Sequence, residues 1–197
     1  MLTAIGDVMR KAYERGFLTT RDGNISLRKS VDGHLSKYMY ITPKGVRKYI
    51  IHPEHIVKID LSKEIDESKA STEIHMHIAL QIDATKSRAV VHLHPTHIVA
   101  ALYAGIDLQK IAKDFPEISR YTRVGPSVEA VPAGSIQLAE LTDKAFRDEA
   151  GKIVYDIVGQ ANHGVCAVGT DPWSAYEHIE RLDHICEIVL KSGKYNK

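Results

Sequence analysis

Residues 71–103, STEIHMHIALQIDATKSRAVVHLHPTHIVAALY, decide the fold class. Ser71 or Thr72 can cap a helix over about residues 73–84. The run Ala89–Leu93 then has the length and β-branching of a buried strand, and a second helix fits the segment from Pro95 to about Tyr103. A short apolar strand between two helices implies a sheet covered by helical layers, an α/β domain.

The flanks extend this alternation. Upstream, Leu2, Ile5, Met9, Ala12 and Tyr13 recur at helical spacing and predict a helix ending at Gly16. Thr19–Ser26 is dense in turn residues, Tyr38–Thr42 is a short β-rich run closed by Pro43 and Gly45, and Ile56, Val57 and Ile59 suggest another strand. Ser62–Ala70 is charged and reads as an exposed connection. Downstream, residues 106–127 predict a loop with one helix, Val128–Val131 a strand, and Ser135 the cap of a helix to about Ala150. Apolar runs at Ile153–Val158 and Val165–Val168 flank a bend over residues 159–164 and predict a hairpin. Asp171-Pro172 opens a long helix with Ala175, Ile179, Leu182, Ile185, Ile188 and Val189 as its apolar stripe, stopping near Gly193. No glycine-rich dinucleotide fingerprint occurs, so a Rossmann unit is set aside.

Composition narrows the classes. The 197 residues, with 44% hydrophobic and no linker-like tract, fit one domain over residues 1–197 and exclude disorder and collagen-like repeats. The balance of 26 Lys and Arg against 25 Asp and Glu argues against a dedicated nucleic-acid binder. Cys166 and Cys186 are too few for a disulfide scaffold and read as packed thiols of a reduced, cytoplasmic protein. Asp7, Arg10, Lys11, Glu14 and Arg15 interrupt the first helix, and no segment holds a spanning apolar run, so no membrane association is expected.

What stands out is eleven histidines. His92 and His94 lie two apart at the end of the apolar strand, so both rings project from one face and can share a cation. A buried strand has no packing reason for two ionisable rings, because an unpartnered buried polar group costs about 1–3 kcal/mol. The competing reading is two rings surfacing at a strand end. His163, in Asn162-His163-Gly164, is either a turn residue or a third ligand, the glycine permitting a tight turn that aims the ring. Glu73 is either a carboxylate favoured by the helix dipole or a general base beside a His-bound metal. The other histidines read as bland. His75 and His77 share the Glu73 helix, His97 lies on the next one, and His34, His52 and His55 sit in polar stretches. His178 and His184, with Glu177, Glu180 and Asp183, read as the solvated face of the last helix.

Taken together, Gly23-Asn24-Ile25-Ser26, Ile41-Thr42-Pro43-Lys44-Gly45, Ser71-Thr72-Glu73, His92-Leu93-His94 and Asn162-His163-Gly164 resemble, in order, the motifs of the class II aldolase/adducin-like (AraD-like) family, typified by fuculose-1-phosphate aldolase. The terminal helix from near Trp173 is also similar. The resemblance implies a three-layer αβα sandwich around a mainly antiparallel sheet. It implies zinc, or another divalent ion such as manganese or cobalt, on His92, His94 and His163, which leaves an open position as catalytic sites do. Glu73 is then the acid/base, and Asn24, Gly45, Ser71 and Thr72 form a phosphate pocket. The implied reaction cleaves or forms a C–C bond of a small ketose phosphate through a metal-stabilised enediolate. The implied assembly is a homotetramer.

Some positions depart from the family pattern. Glu73 stands where epimerase relatives tend to have Asp, which tilts the expectation towards aldolase, with epimerase, dehydratase and decarboxylase chemistry as alternatives. Lys44 occupies a place often held by a small hydroxyl residue, and Arg21 precedes the Gly-Asn motif; either can add charge to the phosphate pocket or recognise a carboxylate. Tyr121 is the candidate for a catalytic tyrosine, and Tyr195 is a weak counterpart of a second one from a C-terminal tail. Trp173 reads as packing or interface. The non-enzymatic alternative, an adducin-head-like interaction domain, is disfavoured by the intact histidine set.

Overall fold

The computed structural model describes residues 2–194. Six strands, β1 (Asn24–Val31), β2 (His34–Ile41), β3 (Val57–Asp60), β4 (Arg88–Leu93), β5 (Ile157–Gln160) and β6 (Gly164–Gly169), form one sheet in the order β3-β2-β1-β4-β6-β5. Every neighbouring pair is antiparallel. Asp32 and Gly33 link β1 to β2 with φ of 51° and 79°, the positive pair of a tight hairpin whose twist suits the strands.

Strand β4 lies at the centre because its apolar run can be covered on both faces. Ala89, Val91 and Leu93 point into the larger core. That core is closed by α1 (Leu2–Glu14), α3 (Thr96–Tyr103), α4 (Leu108–Asp114), α5 (Pro116–Tyr121) and α7 (Pro172–Lys191). Val90 points the other way, into a core closed by α2 (Ile74–Gln81) and α6 (Ile136–Phe146). The result is the three-layer α/β sandwich expected.

Several local expectations change. The first half of β1 is buried and the second half alternates, so its polar sequence concealed a strand. Neither Ser71 nor Thr72 caps α2; Glu73 is the cap position and its side chain makes no cap bond, being directed elsewhere. Residues 106–127 hold two short helices, α4 capped by Asp107 and α5 begun by Pro116. Val128–Val131 is not a strand: Val128 makes one isolated parallel bridge to Gln160. Ser135 does cap α6, but the helix stops at Phe146, where Arg147 bridges Ile153, so β5 begins only at Ile157.

Helix α7 forms as read, with Asp171 accepting from the N–H groups of Trp173 and Ser174. Asp183, however, is buried rather than on the solvated face. Its carboxylate accepts from the backbone N–H of His97 and Ile98 and contacts His97 Nδ1 at 2.9 Å, which ties the start of α3 to α7. Trp173 is 39% exposed and packs edge-on against Tyr176. Cys166 and Cys186 are free and buried, and burial raises both thiol pKa values, so they are inert packing groups. Among the described residues no helix is long and apolar enough to cross a membrane.

Candidate active site

The register of the central strands assembles the site. Asn24 on β1 pairs with His92 on β4, and His92 pairs with Cys166 on β6, so the three share the sheet face beneath α2. His94 lies just past the end of β4, and the β5–β6 hairpin brings His163 over the same point. Nitrogens of His92, His94 and His163 lie within 4.8 Å of one another. His92 Nδ1 donates to the Val165 carbonyl at 3.1 Å, which leaves the lone pair of Nε2 facing His94 Nε2 at 2.9 Å.

Burial, reinforced by His94 and His163, drives the His92 pKa well below its ordinary value, against the pull of the Val165 carbonyl. Burial also lowers that of His94, with His163 adding to it and Glu73 and Asp22 opposing. Both rings are therefore neutral at pH 7, the state in which imidazole ligates metal. His92 Nε2, left as an acceptor, can take a proton from His94 Nε2 or share a cation with it. Glu73 Oε1 and His163 Nδ1 are buried with no hydrogen-bond partner. This donor set fits a divalent ion.

The hairpin differs from the expected turn. Asn162, with φ of 57°, takes the left-handed position, and Gly164 does not. Gly164 is needed for close approach: a Cβ there would meet the Leu93 carbonyl oxygen at 2.5 Å and His94 Cδ2 at 2.6 Å.

Glu73 reaches the histidines from α2, with Oε2 3.1 Å from His92 Nε2 and Oε1 3.5 Å from His163 Nε2. A buried relay orients it. Gln81 donates to Ser26 Oγ at 3.1 Å, and Ser26 Oγ lies 2.7 Å from His77 Nδ1. His77 Nε2 lies 2.5 Å from Asn24 Oδ1, and Asn24 Nδ2 donates to Glu73 Oε2 at 2.7 Å. Asn24 Oδ1 can only accept, so His77 carries its proton on Nε2 and Ser26 donates to Nδ1. Burial lowers the His77 pKa to about 4, Glu73 opposing, so this tautomer is neutral. His77 is thus a positioning residue, which sequence reading missed because its partners are brought together only by the β1–α2 packing.

A cavity of about 330 Å³ opens beside these groups, lined by Asn24, Lys44, Gly45, Ser71, Thr72 and Glu73 with His94 and His163. The residues expected for acid/base and phosphate roles line it with His94 and His163, and His92 lies behind them against Glu73. Gly45 holds φ of 77°, which favours glycine, and Thr72 is exposed at the start of α2. Lys44 is exposed at the rim, and Arg21 donates to the Gly45 carbonyl at 2.8 Å. Asp22 and Lys48, which the sequence reading did not single out, also line it. A larger groove of about 640 Å³ lies at the opposite end of β4, between residues such as Arg88, Arg123 and Lys152, and contains none of the motif residues.

Tyr121 is not brought to the cavity. It ends α5, is half exposed, and its ring lies under the guanidinium groups of Arg120 and Arg181. Tyr195 lies outside the described residues.

Known proteins match more than nine-tenths of the chain. An L-fuculose phosphate aldolase of Methanococcus maripaludis is 28% identical over 187 residues, covering 95% of this chain and 94% of that one. A 3-oxo-tetronate 4-phosphate decarboxylase of Pectobacterium atrosepticum is 29% identical over 185 residues, 92% of this chain and 79% of that protein. The L-fuculose-1-phosphate aldolase structure from Thermus thermophilus superposes with a TM-score of 0.80 at 23% identity, covering 98% of this chain and 94% of that one, which shows the shared fold. The profile of the Class II Aldolase and Adducin N-terminal domain matches residues 3–190, and the chain belongs to that family.

Proposed function

We propose that the protein is a zinc-dependent aldolase that cleaves or forms a C–C bond in a small ketose phosphate. The observation that carries this reading is the convergence of His92, His94 and His163 with Glu73 at one end of a polar cavity. Three imidazoles suit zinc, manganese or cobalt, and zinc is the ion favoured here. When bound, the ion supplies Lewis acidity that draws charge from the substrate carbonyl.

The protein's own groups do the rest. Asn24, Gly45, Ser71 and Thr72 seat the phosphate through short polar groups near the start of α2, with Lys44 at the rim. That remote binding holds the scissile carbons against the histidine cluster. Glu73 moves the proton: in cleavage the hydroxyl beside the scissile bond loses its proton as the C–C bond breaks and the aldehyde forms, and Glu73 delivers a proton to the carbon left behind; synthesis runs the reverse. Its fixed attachment to Asn24 limits the carboxylate to one approach. Tyr121 as a further catalytic group requires its ring to be supplied across a subunit boundary, as in the homotetramer we propose; light scattering of the purified protein tests that assembly.

Metal analysis followed by assay of a ketose-phosphate panel tests the reaction. Bound divalent metal and metal-dependent release of a two- or three-carbon phosphate are expected; metal-free protein that cleaves nothing after zinc addition refutes it. A second reading, decarboxylation of a keto-acid phosphate, is favoured by the Pectobacterium relative and by Arg21 and Lys44 beside the cavity. Carbon dioxide release instead of aldehyde release selects it.

A further inference from the structure

One buried cation in the cavity wall forms no ion pair among the described residues. Lys48 follows the Thr42–Gly45 loop and is 3% exposed, yet it lines the cavity with Asn24, Ser71 and Thr72. Its backbone N–H donates to the Thr20 carbonyl at 2.8 Å, which fixes the residue in place. Its ammonium donates to one group, the Pro43 carbonyl at 3.1 Å. Among the described residues no carboxylate forms an ion pair with it, and the nearby Asp22 lies instead 3.9 Å from His94 Nδ1. An ammonium has three donors, so two are left over without a protein partner among the described residues, beside the cavity.

Burying an ammonium without an anion is costly, and proteins seldom do so without a ligand to complete the site. Burial pulls the Lys48 pKa down to about 8, and Asp22 and Glu73, both farther than an ion pair, oppose the fall. The residue therefore remains mostly charged at pH 7. The other cations differ: Lys44 is at the exposed rim, and Arg21 is exposed and engaged with Gly45. Solvent screens those two far more than it screens Lys48.

We infer that Lys48 sets the anion specificity of the cavity: its ammonium is the counter-ion of the substrate phosphate seated between the Thr42–Gly45 loop and Ser71-Thr72. This inference rests on the proposed sugar-phosphate reading. The phosphate supplies the anionic oxygens that the two remaining N–H groups lack, and neutral sugars gain nothing from Lys48. Near-zero net charge of the chain makes such a local charge the means of drawing an anion to the site.

The test is calorimetric titration of the purified full chain with inorganic phosphate, comparing wild type, Lys48→Met, Lys48→Arg and Lys44→Met. Lys48→Met should weaken phosphate binding by roughly 10–100-fold, the worth of a charge-assisted bond. Lys48→Arg should restore most of it, and Lys44→Met should lose no more than about threefold. Metal content and melting temperature of Lys48→Met should not fall, since the variant removes an unpaired buried charge. Lys48→Gln serves as a second variant should the methionine protein not fold. With a ketose phosphate the loss should appear in KM, leaving kcat nearly unchanged. Unaltered phosphate affinity in Lys48→Met or Lys48→Gln, or a loss matched by Lys44→Met, overturns the inference. So does a fall in kcat with phosphate binding intact, which places Lys48 on Glu73 instead. If wild type cleaves no ketose phosphate, the proposed reaction fails while the phosphate titrations still judge Lys48.

Discussion

Replacing Gly164 by alanine should damage the metal site through packing alone. The added Cβ would lie 2.5 Å from the Leu93 carbonyl oxygen, 2.6 Å from His94 Cδ2 and 3.1 Å from His92 Cε1. Comfortable heavy-atom contact is about 3.5 Å, so the two nearest atoms must each give by about 1 Å. None is a flexible side-chain end: the carbonyl belongs to β4, where Leu93 pairs with Val165, and the rings are the proposed ligands. The strands must therefore separate where His92 bonds the Val165 carbonyl.

Overpacking of this kind costs about 1–3 kcal/mol. At roughly 2–4 °C per kcal/mol for a chain of this size, the melting temperature should fall by about 2–12 °C. Ligand positions tolerate only about 0.2 Å, so zinc affinity should fall by roughly 10–100-fold as the rings lose their orientation. Differential scanning calorimetry measures the first effect, and competition against a chromophoric chelator measures the second. A variant that melts lower yet binds zinc within twofold of wild type would refute the link between Gly164 and ring placement. One that matches wild type in both would refute the packing argument altogether.

Other outcomes follow from particular contacts. Glu73→Gln keeps an acceptor for Asn24 but cannot shuttle a proton, so turnover should drop by about 10²–10⁴-fold with zinc stoichiometry retained; turnover within tenfold of wild type would exclude Glu73 as the acid/base. Asp183→Ala strips the partners from two backbone N–H groups at the start of α3 and should cost about 2–4 kcal/mol in urea unfolding, whereas a loss below about 1 kcal/mol would show that water replaces the carboxylate. At Asp156, burial alone would raise the pKa, but bonds from the Arg123 side chain and backbone hold it below the usual carboxylate range. Its contribution is therefore full above the unfolded pKa of about 4 and is lost as pH falls through the lower folded value. The stability difference between wild type and Asp156→Asn should accordingly shrink from pH 6 to pH 3; a difference constant across that window would contradict this.

Much of the architecture was legible because it is written in local patterns. Helix α1, strand β4 and helix α7 each carry a periodicity and an end signal that act over a few residues. Strand β1 was not, because its residues are polar enough to mimic a loop and its second half only alternates between partly buried and exposed. Val128–Val131 has strand composition, but only one of its residues finds a backbone partner. Asp183 shows the same limit on a helix, since a charged residue grouped with Glu177 and Glu180 reads as solvated, while its partners come from α3.

The resemblance of the ordered motifs to a family pointed to His92, His94, His163 and Glu73 among eleven histidines and many carboxylates, where spacing alone placed only His92 and His94 on one face and left His163 and Glu73 open. Only the tertiary structure decided how those groups are held. The β1–β4 register sets Asn24 beside His92, the packing of α2 on β1 threads Gln81, Ser26, His77 and Asn24 into a relay ending on Glu73, and the close approach of β6 makes Gly164 indispensable. Lys48 belongs to the same class. Burial and the absence of a counter-ion depend on what surrounds a side chain in three dimensions, and no spacing along the chain encodes them.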